Sequence, residues 1–250
     1  MPDNDLLNPR RTIELDDEAL IEAPARAPFV ELGLVTCFSF LRGASDAVDL
    51  VLTARALGYD AIGVADANTM AGVVRIHTEA KTLKMRPVIG CRIETVEGLT
   101  FLAYPRDRAA YGRLCRLISA GRMATLKGEW QEKGACDISL AMLAAHSEGV
   151  QLVLVPPRDL SQTFTISVKT NIVPLPSRAA EAGGPAEPAE LAFQGTLADI
   201  LPHLARQLPT LGHLAASFLH TGDDIARIER LDALAKAHGL GLLATNDVHY

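Results

Sequence analysis

The sequence has little of what announces several common activities. Of its 250 residues only four are cysteines, at 37, 91, 115 and 136, and no two form a CxxC pair. That scatter supports neither a zinc knuckle nor a disulfide framework, and points to reduced, buried thiols. No apolar run approaches the roughly 20 residues needed to cross a bilayer, so a cytoplasmic protein is expected. Positive charge is not in excess: 24 Lys and Arg against 30 Asp and Glu leave a net charge of −6. A segment that grips a nucleic-acid backbone by itself needs the opposite balance. There is no GxxxxGK followed by Ser or Thr, and Gly72, Gly90 and Gly98 do not form a phosphate loop. Residues 1–28, rich in charge and proline, lack the apolar core of a signal peptide and read as a flexible leader.

What is present is an ordinary globular composition, 48% hydrophobic and 22% charged, with enough length for one large barrel or two modest domains. From Phe29 short apolar runs alternate with amphipathic stretches, the signature of strands followed by helices in a parallel sheet. Phe29 to Val35 reads as a strand, Ser45 as an N-cap, and Val48, Val51, Leu52 and Leu57 as a helical stripe closed by Gly58. DAIGVA at 60–65 is a doubly covered strand that delivers Asp66 at its end. The spacing then predicts a helix over 69–83, strands from Pro87 and over 99–104, a helix from Asp107, and a strand over 150–155. The stretch 161–190, with Pro174, Pro176, Gly183, Gly184, Pro185 and Pro188, reads as a loop or insertion. Beyond it come a helix over 197–208, a strand over 214–218, a helix over 223–238 capped by Gly239, and a strand over 241–245. Such units close most economically into a TIM-barrel-like α/β fold whose functional residues gather where the strands end, so Asp66, Asp247 and His249 are expected on one rim. Residues 29–250 are taken as that barrel, with the chain breaking off just after a strand as though truncated.

Five ordered stretches carry a resemblance: FSFLRGAS at 38–45, GYDAIGVAD at 58–66, RPVIGC at 86–91, DRAAYGRLCR at 107–116 and ATNDVHY at 244–250. With them the chain resembles a polymerase and histidinol phosphatase (PHP) domain, in particular that of the bacterial error-prone C-family DNA polymerase alpha subunit. The resemblance implies a PHP-type distorted (β/α)7 barrel.

It also implies a metal site. In active members an HxH pair on the first strand, Asp-His after the second, a glutamate after the third and Asp-x-His on the last bind metals that activate water and stabilise phosphoryl charge. In this sequence Gly33 and Val35 stand at the first pair, Ala67 follows Asp66, and Arg92 stands at the glutamate. Glu94, two positions along, lies further down the same strand face. The retained ligand positions are Asp66, Asp247 and His249, and an arginine among them opposes cations. The expectation is therefore vestigial, metal-free ligand positions with no catalytic or cofactor-binding residue in this segment. An Asp at a strand end can instead cap a turn, and a His beside it can hydrogen-bond, without an ion.

Arg106, Arg108, Arg113, Arg116, Arg122 and Lys127 could lie near DNA in a longer enzyme, or form a solvated helix face balanced by Asp107 and Glu129. The other histidines read as surface or helix-end residues. The resemblance implies a segment that scaffolds a polymerase body on the same chain, with DNA and accessory mutagenesis proteins as partners of the full enzyme. The palm carboxylates that hold magnesium would lie beyond residue 250. A free-standing metal-dependent phosphoesterase is the alternative, and it would need an intact ligand set.

Overall fold

The computed structural model describes residues 29–169 and 190–247. The leader at 1–28, the centre of the Pro/Gly stretch at 170–189, and His249 fall outside the described residues.

The first helix, α1 (Ala47–Ala56), starts one residue later than the sequence pattern implied. Asp46, not Ser45, is its N-cap, accepting the Val48 N–H at 3.1 Å. The chain leaves α1 through Gly58 at φ 81°, a conformation that only glycine adopts cheaply. Strand β1 (Ala61–Ala67) then runs into α2 (Val73–Thr82) and β2 (Arg86–Glu94). Strand β3 (Thr100–Pro105) leads to α3 (Arg108–Met123), N-capped by Asp107 on the Ala110 N–H at 2.7 Å. Helix α4 (Leu140–His146) and strand β4 (Val150–Val155) follow. After β5 (Thr163–Lys169) and β6 (Glu190–Thr196) come α5 (Leu197–Gln207), β7 (Leu211–Ala216), α6 (Asp224–Ala237) and β8 (Gly241–Ala244). Helix α5 opens with a reciprocal cap between Thr196 and Asp199.

Six strands form one sheet in the order β1-β2-β3-β4-β7-β8. It is not wholly parallel: β3 is antiparallel to both neighbours, while β1 with β2 and β4 with β7 and β8 run parallel. The reason lies in Thr95 to Leu99. Gly98 sits at φ 83°, and the Gly98 N–H to Thr95 carbonyl bond (2.9 Å) closes a turn too short for a crossover helix. A second correction concerns 161–190. Its ends are not loop: β5 and β6 pair antiparallel over seven residue pairs, from Thr163↔Thr196 to Lys169↔Glu190. The alternation of Phe164 and Ile166, both buried, with Thr165 and Ser167 is the strand signal that the prolines and glycines downstream obscured.

The predicted strand at 29–35 is extended but irregular. Its Glu31 and Leu34 carbonyls accept from Gly63 and Ala65 of β1 at 2.7 and 2.8 Å, so three steps on one chain face two on the other. That extra residue is a bulge, and it turns Leu32 inward and Leu34 outward. Counting this segment, seven staves curl around an interior built by Leu32, Ala65, Val88, Leu102, Tyr104, Val153, Ala215 and Leu243. Each stave gives at least one side chain, as a small packed barrel requires. Tyr104 fills the middle: a Cβ on Gly90 would overlap its ring, and its hydroxyl donates to the Leu32 carbonyl. Burial pushes that hydroxyl's pKa up, so it remains a donor. Two larger apolar layers lie outside, one under α1 and α2, the other under α3 to α6.

The wall closes where the first stave meets the end of the last. Glu31, 3% exposed, accepts from the Gly33 N–H (2.6 Å), the Thr245 hydroxyl and the Asn246 N–H (2.7 Å). Glu31→Ala should strand those donors and cost about 3 kcal/mol, or roughly 6 to 12 °C in Tm. Thermal unfolding followed by circular dichroism checks this, and an unchanged Tm would remove Glu31 from the account of closure.

Candidate functional site

All strands of the main sheet except β3 end on one rim, and the loops there carry the residues that sequence reasoning singled out. Asp66, 1% exposed, ends β1. Strand alternation places it on the face of Ile62 and Val64, which pack beneath the helices, and away from the barrel interior. Its oxygens accept from the Thr36 N–H (2.8 Å), the Thr36 hydroxyl (2.9 Å) and the Ser39 hydroxyl (2.7 Å). The Ser39 oxygen in turn accepts the Ala67 N–H at 2.9 Å. Asp66 therefore ties the 36–39 turn to the end of β1, and Gly72 lies so close that a Cβ there would overlap the carboxylate.

Arg92 occupies the inward face of β2, in register with Ala67 of β1, and is 5% exposed. Its Nη2 donates to the Gly33 carbonyl (3.4 Å) and forms an ion pair with Asp247. The guanidinium thus bridges the first stave, β2 and the residue after β8. Asp247 stands at φ 49°, in the left-handed region that Asp tolerates better than most residues, with its N–H on the Thr245 hydroxyl at 3.1 Å. Gly33 has no room for a side chain: an added Cβ would come within 2.6 Å of the Thr245 hydroxyl and 3.1 Å of Glu31. Glu94 is taken by Arg42, which binds it through both terminal nitrogens, one at 2.9 Å.

Beside Asp247 a cavity of about 740 Å³ opens between the ends of β4, β7 and β8. Arg158, Ser217, Thr221, Asp224, Arg227 and Asn246 supply its polar wall. Asp224 is committed to the Leu219 N–H (2.9 Å) and the Thr221 N–H (2.7 Å), which hold its carboxyl below the usual carboxylate range. Arg227 donates to the Pro157 carbonyl at 2.8 Å.

Asp66 and Asp247 both stand on the strand-end rim, but on different faces of the wall. Asp247 is at the inner rim with Arg92, Asp66 serves the 36–39 turn from the other face of β1, and His249 lies outside the described residues. Glu31, Thr36 and Ser39 were missed. A lone acid among the apolar residues of FVELGLV was the available signal for Glu31. Of the basic cluster, Arg106 meets Gln151, Arg113 the Glu148 carbonyl and Arg122 the Asn68 carbonyl, which favours the structural reading of that helix face.

A family model described as the PHP domain matches residues 31–179. The chain belongs to the PHP domain family. Curated relatives named error-prone DNA polymerase include proteins of Caulobacter vibrioides (37% identical over 223 residues) and Bradyrhizobium diazoefficiens (40% over 227). Each alignment covers 89% of this chain and 17% of the relative, so the chain spans about one-sixth of their length. A third, from Allorhizobium ampelinum, is 45% identical over 128 residues, 51% of this chain and 11% of that protein. Among solved structures, a candidate metal-dependent phosphoesterase from Bifidobacterium adolescentis superposes with a TM-score of 0.57 at 17% identity, over 92% of this chain and 90% of that one. An amidohydrolase from Chromobacterium violaceum, solved with sulfate and no metal, gives 0.56 at 12%, over 88% and 87%. These likenesses establish the distorted barrel of PHP proteins.

The metals that PHP membership implies do not fit the described residues. No group of three or more His, Cys, Asp or Glu side chains converges among them. At the rim the inward cation is a guanidinium already engaged by Asp247, and Gly33 cannot carry an imidazole without displacing Thr245 and Glu31. Arg92→Leu should leave Asp247 without this partner and cost about 3 kcal/mol, at the low end of the range because a quarter of Asp247 is exposed. The double variant with Asp247→Leu should recover at least about 1 kcal/mol. Denaturant titration of the four proteins tests the coupling; additive losses would mean that the pair contributes nothing as a pair.

Proposed function

We propose that this chain is the amino-terminal PHP barrel of an error-prone DNA polymerase, and that the barrel is a metal-free scaffold rather than a phosphoesterase. The observation that carries the second half is the Arg92–Asp247 pair. A phosphoesterase rim has to present several anionic or imidazole donors to cations that activate water. Here the fixed positive charge of Arg92 faces Asp247, and Asp66 is saturated by two hydroxyls and a backbone N–H on the other face. The relatives named error-prone DNA polymerase support the first half.

In this reading the whole enzyme carries out template-directed synthesis across damaged DNA, as part of damage-induced mutagenesis in the cytoplasm. Nucleotidyl transfer would use magnesium held by palm carboxylates outside these residues. DNA contacts would come mainly from those other parts, since this segment carries a net charge of −6. Accessory mutagenesis proteins would be partners of the full enzyme. No helix among the described residues is long and apolar enough to cross a membrane. Glu31, Asp66 and Arg92 would serve as the framework that keeps the barrel wall closed and its rim rigid.

The competing reading, a free-standing metal-dependent phosphoesterase, makes opposite predictions. Elemental analysis after purification without chelators should find well under one zinc or manganese per chain, with no phosphatase or exonuclease activity, and the parent chain should extend a primer past a lesion. Stoichiometric metal with an activity abolished by Asp247→Ala would overturn the scaffold reading.

A further inference from the structure

The strand-end rim is unusually apolar for a surface open to water. The loop after the first stave projects Phe40 and Leu41, which are 85% and 89% exposed, and Leu41 is held at φ 62°. A leucine in the left-handed region costs of the order of 1 kcal/mol, and this one gains no burial in return. The β2–β3 turn adds Val96, and the end of α3 adds Met123, with Leu126 and Trp130 on the small hairpin that follows. Trp130, the single tryptophan of the chain, is 86% exposed, although its backbone bridges to Ala124.

These side chains flank one connected set of polar contacts. Arg42 binds Glu94, Asn68 accepts the Glu94 N–H at 3.0 Å, and Arg122 donates to the Asn68 carbonyl at 2.9 Å. The 38–43 loop, the end of β2 and the end of α3 are thereby joined at one side of the rim, and their apolar residues form a crest around that polar seam. Aromatic, aliphatic and Met side chains around internally satisfied arginines make the composition of a protein interface core, and exposed apolar side chains gathered on elements tied together in this way mark a partner. The seam's own cations are spent on Glu94 and on a backbone carbonyl, and Glu129 and Glu132 offset the exposed Lys127 and Lys133 of the hairpin, so it presents no net positive charge to a phosphate backbone.

We propose that this crest is the docking face for the polymerase body of the same chain, which would meet it with an apolar surface of its own. The proposal rests on the polymerase reading. Its basis is that about five-sixths of each relative's length lies outside the stretch this chain matches, so a barrel in that setting has a large neighbour tethered to it. A tethered neighbour needs only a modest interface, because the linker replaces much of the association cost.

The test uses the full-length parent chain with a benzophenone amino acid placed at Leu41 or Trp130, and at exposed Thr82 on α2 as control. After irradiation of the monomeric protein, mass spectrometry should find crosslinks from 41 and 130 to peptides beyond residue 250 of the same chain, at least several-fold above the control. Crosslinks to a second copy, crosslinks to another protein, or yields no higher than at Thr82 would each overturn the proposal. The pair Leu41→Ser and Trp130→Ser touches no core residue, and it should speed proteolytic separation of barrel from body at least several-fold; an unchanged rate counts against the docking face. Primer extension by the same preparation tests the polymerase reading separately. Extension without the crosslinks defeats the docking face alone, and no extension defeats the reading beneath it.

Discussion

A carboxylate buried at the meeting of the two ends of a barrel wall has to be satisfied by that wall or be expelled from it. Glu31 is satisfied by one donor from its own stave and two from the segment after β8, residues more than 200 positions away. Among the described residues no regular ladder of the kind that joins the other staves bridges this gap. The charge-assisted hydrogen bonds of one side chain stand in for it. The positions of Gly33, Thr245 and Asp247 follow from that closure, and with them the shape of the inner rim.

Arg92 extends the same logic one layer inward. An ion at a barrel mouth draws strand ends together by sharing ligands from several staves, and the guanidinium does so with a carbonyl from the first stave and a carboxylate after the last. The two differ in what they leave available. A divalent ion keeps open positions for water and substrate, whereas a planar cation with fixed donors keeps none for anionic attack chemistry. The guanidinium thus closes the mouth mechanically, and no cluster of three or more His, Cys, Asp or Glu ligands stands beside it among the described residues.

Most of the element sequence was legible because the outer layers obey simple periodicity. The stripe of Val73, Ile76 and Ala80, and the unbroken apolar run of β1, could belong to little else. The reversal of β3 was hidden because a buried strand looks the same in either direction, and only Gly98 in its short turn told them apart. Strands β5 and β6 were hidden by the prolines and glycines between them. Asp66 and Asp247 were expected on one rim, and both stand there, but strand parity with Ile62 and Val64 turns the Asp66 side chain to the outer face. The bulge has a similar effect on the first stave: it defeats any argument that two residues apart means one face. Partners such as Thr36 and Ser39 were invisible, since hydroxyls carry no pattern until a buried acid selects them.

Gly33 limits what the mouth of the barrel can become. With the Thr245 hydroxyl 2.6 Å from where its Cβ would stand, no imidazole fits there unless Glu31 and Thr245 yield first, and they are what holds the wall shut. Any ligand installed at that position would come at the expense of closure. A redesign that sought a metal-binding rim would have to rebuild that closure before it could add the first donor.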